Sequence, residues 1–287
     1  MKKPFLLYNN NRKKKRVVLF LKKRVISAAV LLTIGITCIF LSEMTRVLFF
    51  AAAGVICAYE YSRGLEKIEA YCAAWVMYTY IGIQALLTIF HAGTISYIAC
   101  MAAGVYLALF SGILHPKVRG KGAIYTVAGL AYPGILFGLL MMISVSKSWL
   151  EVFALGFASS LICDAFALFG GMRFGKHPVA PDISPKKTVE GCICGAVAGA
   201  LSGALVKLFP NCCDAVPMWL CILTGLVASS MGQIGDLAES MVKRMLGLKD
   251  FSNLIPGHGG MFDRADSLMF ALPTAYLCLY VFGYTVK

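Results

Sequence analysis

Acidic side chains are scarce in this sequence. Of 287 residues only fourteen are Asp or Glu, against 27 Lys and Arg, and charged residues make up 14% of the chain. Long polar stretches are scarce too, which excludes a soluble domain: the longest are an N-terminal tail and the segments 173–187 and 243–264. The eleven cysteines contain no C-x-x-C pair and no Cys/His ligand spacing, so they read as small core residues and a zinc site is not expected. Cys212 and Cys213 are adjacent, a spacing that would strain a disulfide, and no bridge is inferred there. A Walker A sequence and the loop set of protein kinases are both missing, which excludes the familiar nucleoside-triphosphate folds.

What is present is hydrocarbon. With 59% hydrophobic residues and a mean hydropathy of +0.75, the chain reads as an all-α polytopic membrane protein. Ten of the 27 basic residues fall in the first 24 positions beside an apolar run, so the tail 1–24 is expected to meet anionic lipid headgroups rather than nucleic acid. The run 25–41 follows too long a basic region for a signal peptide and lacks an A-x-A-like site, so it is read as the first anchor.

About twenty apolar residues cross a bilayer. Hydropathy breaks predict nine spans, near 25–42, 46–62, 70–91, 94–114, 122–146, 149–172, 190–209, 215–240 and 267–285, forming one transmembrane catalytic domain over 25–287. With the N-terminus inside, 23 of the Lys and Arg fall on the cytoplasmic side and four outside. Cytoplasmic loops collect such residues, so this asymmetry predicts a cytoplasmic N-terminus and puts the loops 173–189 and 241–266 on the same side. Gly191, Gly195, Gly199 and Gly203 form a small-residue stripe in the seventh span. Packing within one protomer is the favoured reading of the stripe, a dimer seam the other.

Five of the fourteen acids (Asp236, Glu239, Asp250, Asp263 and Asp266) lie in or just before the stretch 240–266. Carboxylates at a membrane edge are costly unless they pair with cations or hold a metal, so the stretch is the candidate site. Glu239 has an intrahelical partner four residues on, Lys243, whereas the residue four before Asp236 is Gly232. Asp236 therefore looks unpaired, and suited to a metal. The glycines 257, 259 and 260 let the chain reverse so that Asp263 and Asp266 fold back toward Asp236. Oxygen ligands of this kind, with cations nearby, are what Mg²⁺-assisted phosphoryl or nucleotidyl transfer needs. His258 fits either a phosphate contact and proton transfer or a turn-stabilising role. In the earlier loop, Ser184, Lys186, Lys187 and Thr188 offer hydroxyls and cations for a triphosphate, with Pro185 fixing the backbone. Asp164, inside the sixth span, is expected to face a polar cavity or a partner.

The order S-x-x-K-R (Ser240, Lys243, Arg244), K-D (Lys249, Asp250), P-G-H-G-G (256–260) and D-R-x-D (Asp263, Arg264, Asp266) is long and mixed in residue type. It closely resembles the signature of the phosphatidate cytidylyltransferases, or CDP-diacylglycerol synthases. Gly175-Lys176 and the run Ile183-Ser184-Pro185-Lys186-Lys187-Thr188-x-Glu190-Gly191 resemble the same family, and the specific likeness covers roughly residues 155–270. Leu168 departs from it, since the family usually has Tyr there.

The resemblance implies condensation of CTP with phosphatidic acid to CDP-diacylglycerol and pyrophosphate, in a homodimer of a bacterial-type cell membrane with the site facing the cytoplasm. It assigns metal-binding aspartates to Asp236 and Asp263, with Asp266 beside them. Mg²⁺ is the expected ion, and a second cation is left open. The candidate catalytic set is Asp236, Lys243, Arg244, His258, Asp263, Arg264 and Asp266. The substrate-binding set is Asp164, Lys176, Ser184, Lys186, Lys187, Thr188, Ser240, Lys249 and Asp250. Two rivals are a CTP-dependent polyprenol or phytol kinase, which would transfer the γ-phosphate, and a transporter, which predicts inverted repeats that the halves do not show.

Overall fold

The computed structural model describes residues 33, 35, 37–252, 254 and 259–284. The basic tail, most of the span expected at 25–42, and His258 lie outside these residues. Helices dominate: α1 (Glu43–Glu66), α2 (Ala74–Ile89), α3 (Thr94–Leu114), α4 (Arg119–Ser144), α5 (Trp149–Phe174), α6 (Val189–Lys207), α7 (Met218–Met245), the short α8 (Phe262–Ala265) and α9 (Leu268–Val281). The protein is an all-α polytopic membrane protein. Among the described residues, α1, α3, α4, α5, α6 and α7 are the six helices long and apolar enough to cross a membrane.

The nine-span count is not reached among these residues. The segment expected at 70–91 supplies a helix of only 16 residues and that at 267–285 one of 14. At 1.5 Å per residue these are roughly 24 and 21 Å long, short of a hydrocarbon core of about 30 Å. Sequence hydropathy counts apolar residues but not the turns that precede α2 or the short α8 that precedes α9.

Local chemistry sets the helix boundaries. Ser42 and Thr45 form a capping box at the start of α1, each side chain accepting the other's backbone N–H, with Glu43 in the first turn. Thr188 caps α6 by accepting the Gly191 N–H at 3.2 Å. Within α4, residues Leu130–Ile135 form a π turn. Pro133 sits inside that turn, where its missing N–H loosens the α-helical ladder.

Helices α5, α6 and α7 pack in succession, and α9 lies against α4, α5 and α7. The glycine stripe makes the first of these contacts possible. Gly191 and Gly195 lie against Ala167 and Cys163 of α5, while a methyl group at Gly199 or Gly203 would collide with Ser229 or the Cys221 carbonyl of α7. The stripe is thus an intraprotomer seam on two sides. A second packed group joins α1, α2 and α4 through Tyr61, Met77, Ile81, Leu130 and Phe137, and continues into Phe262 and Met269 beside the site.

One element is not a loop as expected. Residues Pro178–Ala180 (β1) and Ser184–Thr188 (β2) pair as a small antiparallel hairpin. Glu190 closes it, accepting the N–H groups of Lys176 and His177 at 3.0 and 3.3 Å and meeting His177 Nδ1 at 2.6 Å. Pro185 sits within β2, and a strand with proline is tolerated here because the sheet has only two strands and both are edges.

Candidate active site

The last three turns of α7 carry Asp236, Glu239, Ser240, Lys243 and Arg244. The chain then reverses, with Gly259 at φ +87°, a conformation that favours glycine, and returns Asp263 and Asp266 to the same helix end. The reversal expected from the glycine-rich turn is therefore present.

The four acids divide into two linked groups. Asp236, Glu239 and Asp266 each offer an oxygen, and these atoms lie within 4.8 Å of one another. Asp263 is engaged differently: Oδ1 meets Lys243 Nζ at 3.0 Å, and Oδ2 accepts the N–H groups of Gly260 at 2.8 Å and Phe251 at 3.1 Å. Lys243 Nζ also meets Glu239 Oε2 at 2.6 Å, so one ammonium bridges the groups.

Asp236 is not without a cation. Lys187 reaches it from β2, with Nζ 2.7 Å from Oδ2 and 3.0 Å from the Gln233 carbonyl. Helical spacing gave no sign of this partner because it comes from another element.

Electrostatics differ across the two groups. Burial, together with the negative charges of Asp236 and Asp164, pushes the Asp266 carboxyl up to about 7, although its own Ser267 N–H bond opposes the shift. For Asp263 burial also opposes ionisation, but the Gly260 amide and Lys243 outweigh it and hold the carboxyl below its usual value. Asp266 is thus short of positive charge, and Asp263 is already supplied.

A cavity of about 370 Å³ adjoins this cluster. Asp164, Asp236, Asp263, Arg264 and Asp266 line it, as do Phe157, Leu161 and Leu268. Asp164, expected to face a polar cavity or a partner, lines this one. The lining mixes four carboxylates and Arg264 with apolar side chains.

The other candidate residues scatter around this centre. Arg244 donates to the carbonyls of Ile183 and Leu248 at 3.1 Å each, tying the hairpin to the loop after α7. Thr188 spends its hydroxyl on the α6 cap. Ser184 is half-buried on β2 and Ser240 is buried on α7, whereas Lys176, Lys186, Lys249 and Asp250 are exposed. Leu168 is exposed on α5.

Three residues absent from the candidate sets belong to the site. Glu239 joins the acidic cluster, an outcome that its i,i+4 pairing with Lys243 left open. Tyr132, on the π turn, packs edge-on against Phe262 and Phe270 with ring centroids 5.0 and 6.0 Å away, and its hydroxyl donates weakly to the Gly235 carbonyl at 3.4 Å. A π turn in a long helix is frequently a functional position, but nothing in periodicity announces one. The third, Glu60 of α1, touches the returning loop.

Three curated relatives, each a phosphatidate cytidylyltransferase, come from Staphylococcus saprophyticus subsp. saprophyticus (34% identical over 157 residues), Staphylococcus epidermidis (36% over 161) and Staphylococcus aureus (34% over 161). In each case the match covers 55% of this chain and spans 59% of the relative's length. The sequence profile of the Cytidylyltransferase family matches residues 22–282. With an acidic cluster beside a cavity of mixed lining and a family match over residues 22–282, the chain belongs to the cytidylyltransferase family.

Proposed function

We propose that this protein condenses CTP with phosphatidic acid, giving CDP-diacylglycerol and pyrophosphate. The observation that carries the reading is the cavity, whose lining combines Asp164, Asp236, Asp263, Asp266 and Arg264 with the apolar Phe157, Leu161 and Leu268. A lipid phosphate and a nucleotide triphosphate can meet there while the acyl chains stay in hydrocarbon. The names of the staphylococcal relatives support the same substrates.

The reaction asks little of a general base, because the attacking phosphate oxygen of phosphatidic acid is already ionised at neutral pH. It attacks the α-phosphorus of CTP, the bond from that phosphorus to the bridging oxygen breaks, and pyrophosphate leaves with the electron pair. Catalysis is then mainly alignment and charge neutralisation. Lys187 and Lys243, each already held against a carboxylate, are placed to transfer to phosphate oxygens. Arg244 and Lys186 add positive charge at the hairpin.

The residues fit a divalent cation. All the donors are oxygens, burial opposes ionisation of Asp266, and Oε1 of the fully buried Glu239 has no hydrogen-bond partner among the described residues. Asp236, Glu239 and Asp266 are the proposed holders, and Asp263 joins them once Lys243 turns to a phosphate. When bound, Mg²⁺ would supply charge neutralisation at the reacting phosphates. A second cation beside it remains part of the proposal, as do a homodimer, a bacterial-type cell membrane and a cytoplasm-facing site. The distribution of Lys and Arg supports that facing.

Purified protein with Mg²⁺, CTP and phosphatidic acid is expected to release pyrophosphate and no CDP. CDP would instead identify γ-phosphoryl transfer, and the absence of both would remove the enzyme reading. Replacing Lys186 and Lys187 together by Gln is expected to raise KM for CTP by about tenfold, the effect of losing roughly one charge-assisted contact. An unchanged KM would reduce both lysines to the inside-positive bias.

A further inference from the structure

Glu60 sits deep in α1, an apolar helix, and is 2% exposed. A carboxylate so placed must be answered by donors. Among the described residues, its donors come from the chain that returns to the site. Met261 N–H reaches Oε1 at 3.1 Å, Phe262 N–H reaches Oε2 at 2.9 Å, and the Ser252 hydroxyl makes a short bond to Oε1. The fit is close enough that a Cβ on Gly260 would lie 2.6 Å from both carboxylate oxygens. Residue 260 thus has to be glycine for Glu60 to enter.

We infer that Glu60 is a positioning residue: it clamps the backbone of 260–262 and so fixes the direction from which Asp263 and Asp266 enter the acidic cluster. The connection is short. Asp263 Oδ2 accepts the Gly260 N–H at 2.8 Å, next to the amides that Glu60 holds. Asp263 Oδ1 meets Lys243, and Lys243 meets Glu239. Phe262, between the clamp and Asp263, is fully buried against Tyr132 and Phe251. The segment is held by charge on one side and by packing on the other. Glu60 touches neither the cavity lining nor the acidic cluster itself, so its effect on turnover is exerted through the loop.

Glu60→Gln tests this, because the amide replaces one acceptor oxygen with an NH₂ that faces the backbone donors. In hydrogen exchange on the full-length protein, the 259–265 segment is expected to exchange about tenfold faster in E60Q, while α6 stays at the wild-type rate. The turnover number should fall about tenfold with KM for CTP within about twofold, and Glu60→Asp, which restores the charge, should recover part of it. Exchange in 259–265 that matches wild type overturns the clamp, and so does a rise spread evenly over α6 and α9, which marks general destabilisation. If E60Q is not recovered folded, Ser252→Ala removes one donor and is expected to raise exchange in the same segment about threefold; no change there overturns the clamp. The turnover arm rests on the proposed reaction and the exchange arm does not. A wild-type protein that releases no pyrophosphate therefore sinks the reaction while exchange still decides Glu60.

Discussion

Asp236→Asn is expected to lower turnover by about two to three orders of magnitude while the protein remains folded, the scale found when one preorganised electrostatic group is removed from a site. The fold should tolerate it because the Asp236 side chain is 36% exposed and its ion pair with Lys187 joins a helix to a surface hairpin. Pairs of this kind contribute about 1 kcal/mol or less. The shape is kept and one charge is lost from the cluster that Asp266 and Glu239 complete. Turnover close to wild type in well-folded D236N, at ordinary Mg²⁺, would remove the acidic cluster from the mechanism.

Lys243→Met is expected to act in the opposite proportion, damaging stability as well as turnover. Lys243 is the cation between Glu239, which is fully buried, and Asp263, whose side chain is 4% exposed. Removing it strands two carboxylates in a region where a broken buried pair costs about 3–5 kcal/mol. Thermal unfolding in detergent should show a marked drop for K243M and little change for D236N. Lys243→Arg should keep the charge without restoring full turnover, because a planar guanidinium does not fit the point between two carboxylates that an ammonium fills. Equal stability of K243M and wild type would show that Glu239 and Asp263 do not depend on their shared cation.

Much of this arrangement was legible in the residues. The charge-poor composition gives the membrane class, and the unusual run from Ser240 to Asp266 marks the candidate site, because carboxylates cluster at a membrane edge only for cause. Asp164 becomes a candidate by the same rule. That rule applies equally to Glu60, another acid in an apolar span, and its omission is a matter of neighbours: nothing near Glu60 in sequence carries chemistry, and its partners are 192 to 202 residues away. Lys187 was seen as a cation but not as the partner of Asp236, since helical spacing reports only partners on the same helix. The hairpin was invisible for a simpler reason. A three-residue and a five-residue strand, one with proline inside it, leave no period to read.

The hairpin changes how the Lys187–Asp236 contact can behave. Its two ends are 49 residues apart in the chain and ride on separate elements, a two-stranded ribbon and α7. Parting the two elements breaks that ion pair, one bond to the Gln233 carbonyl and the Arg244 bond to the Ile183 carbonyl, and it leaves the hydrogen-bond ladder of every helix whole. A contact between residues one turn apart on a single helix would act as a strut, fixed at one length for as long as the helix exists. This one has no such fixed length: it depends on the docking of the hairpin against α7, which Arg244 also holds.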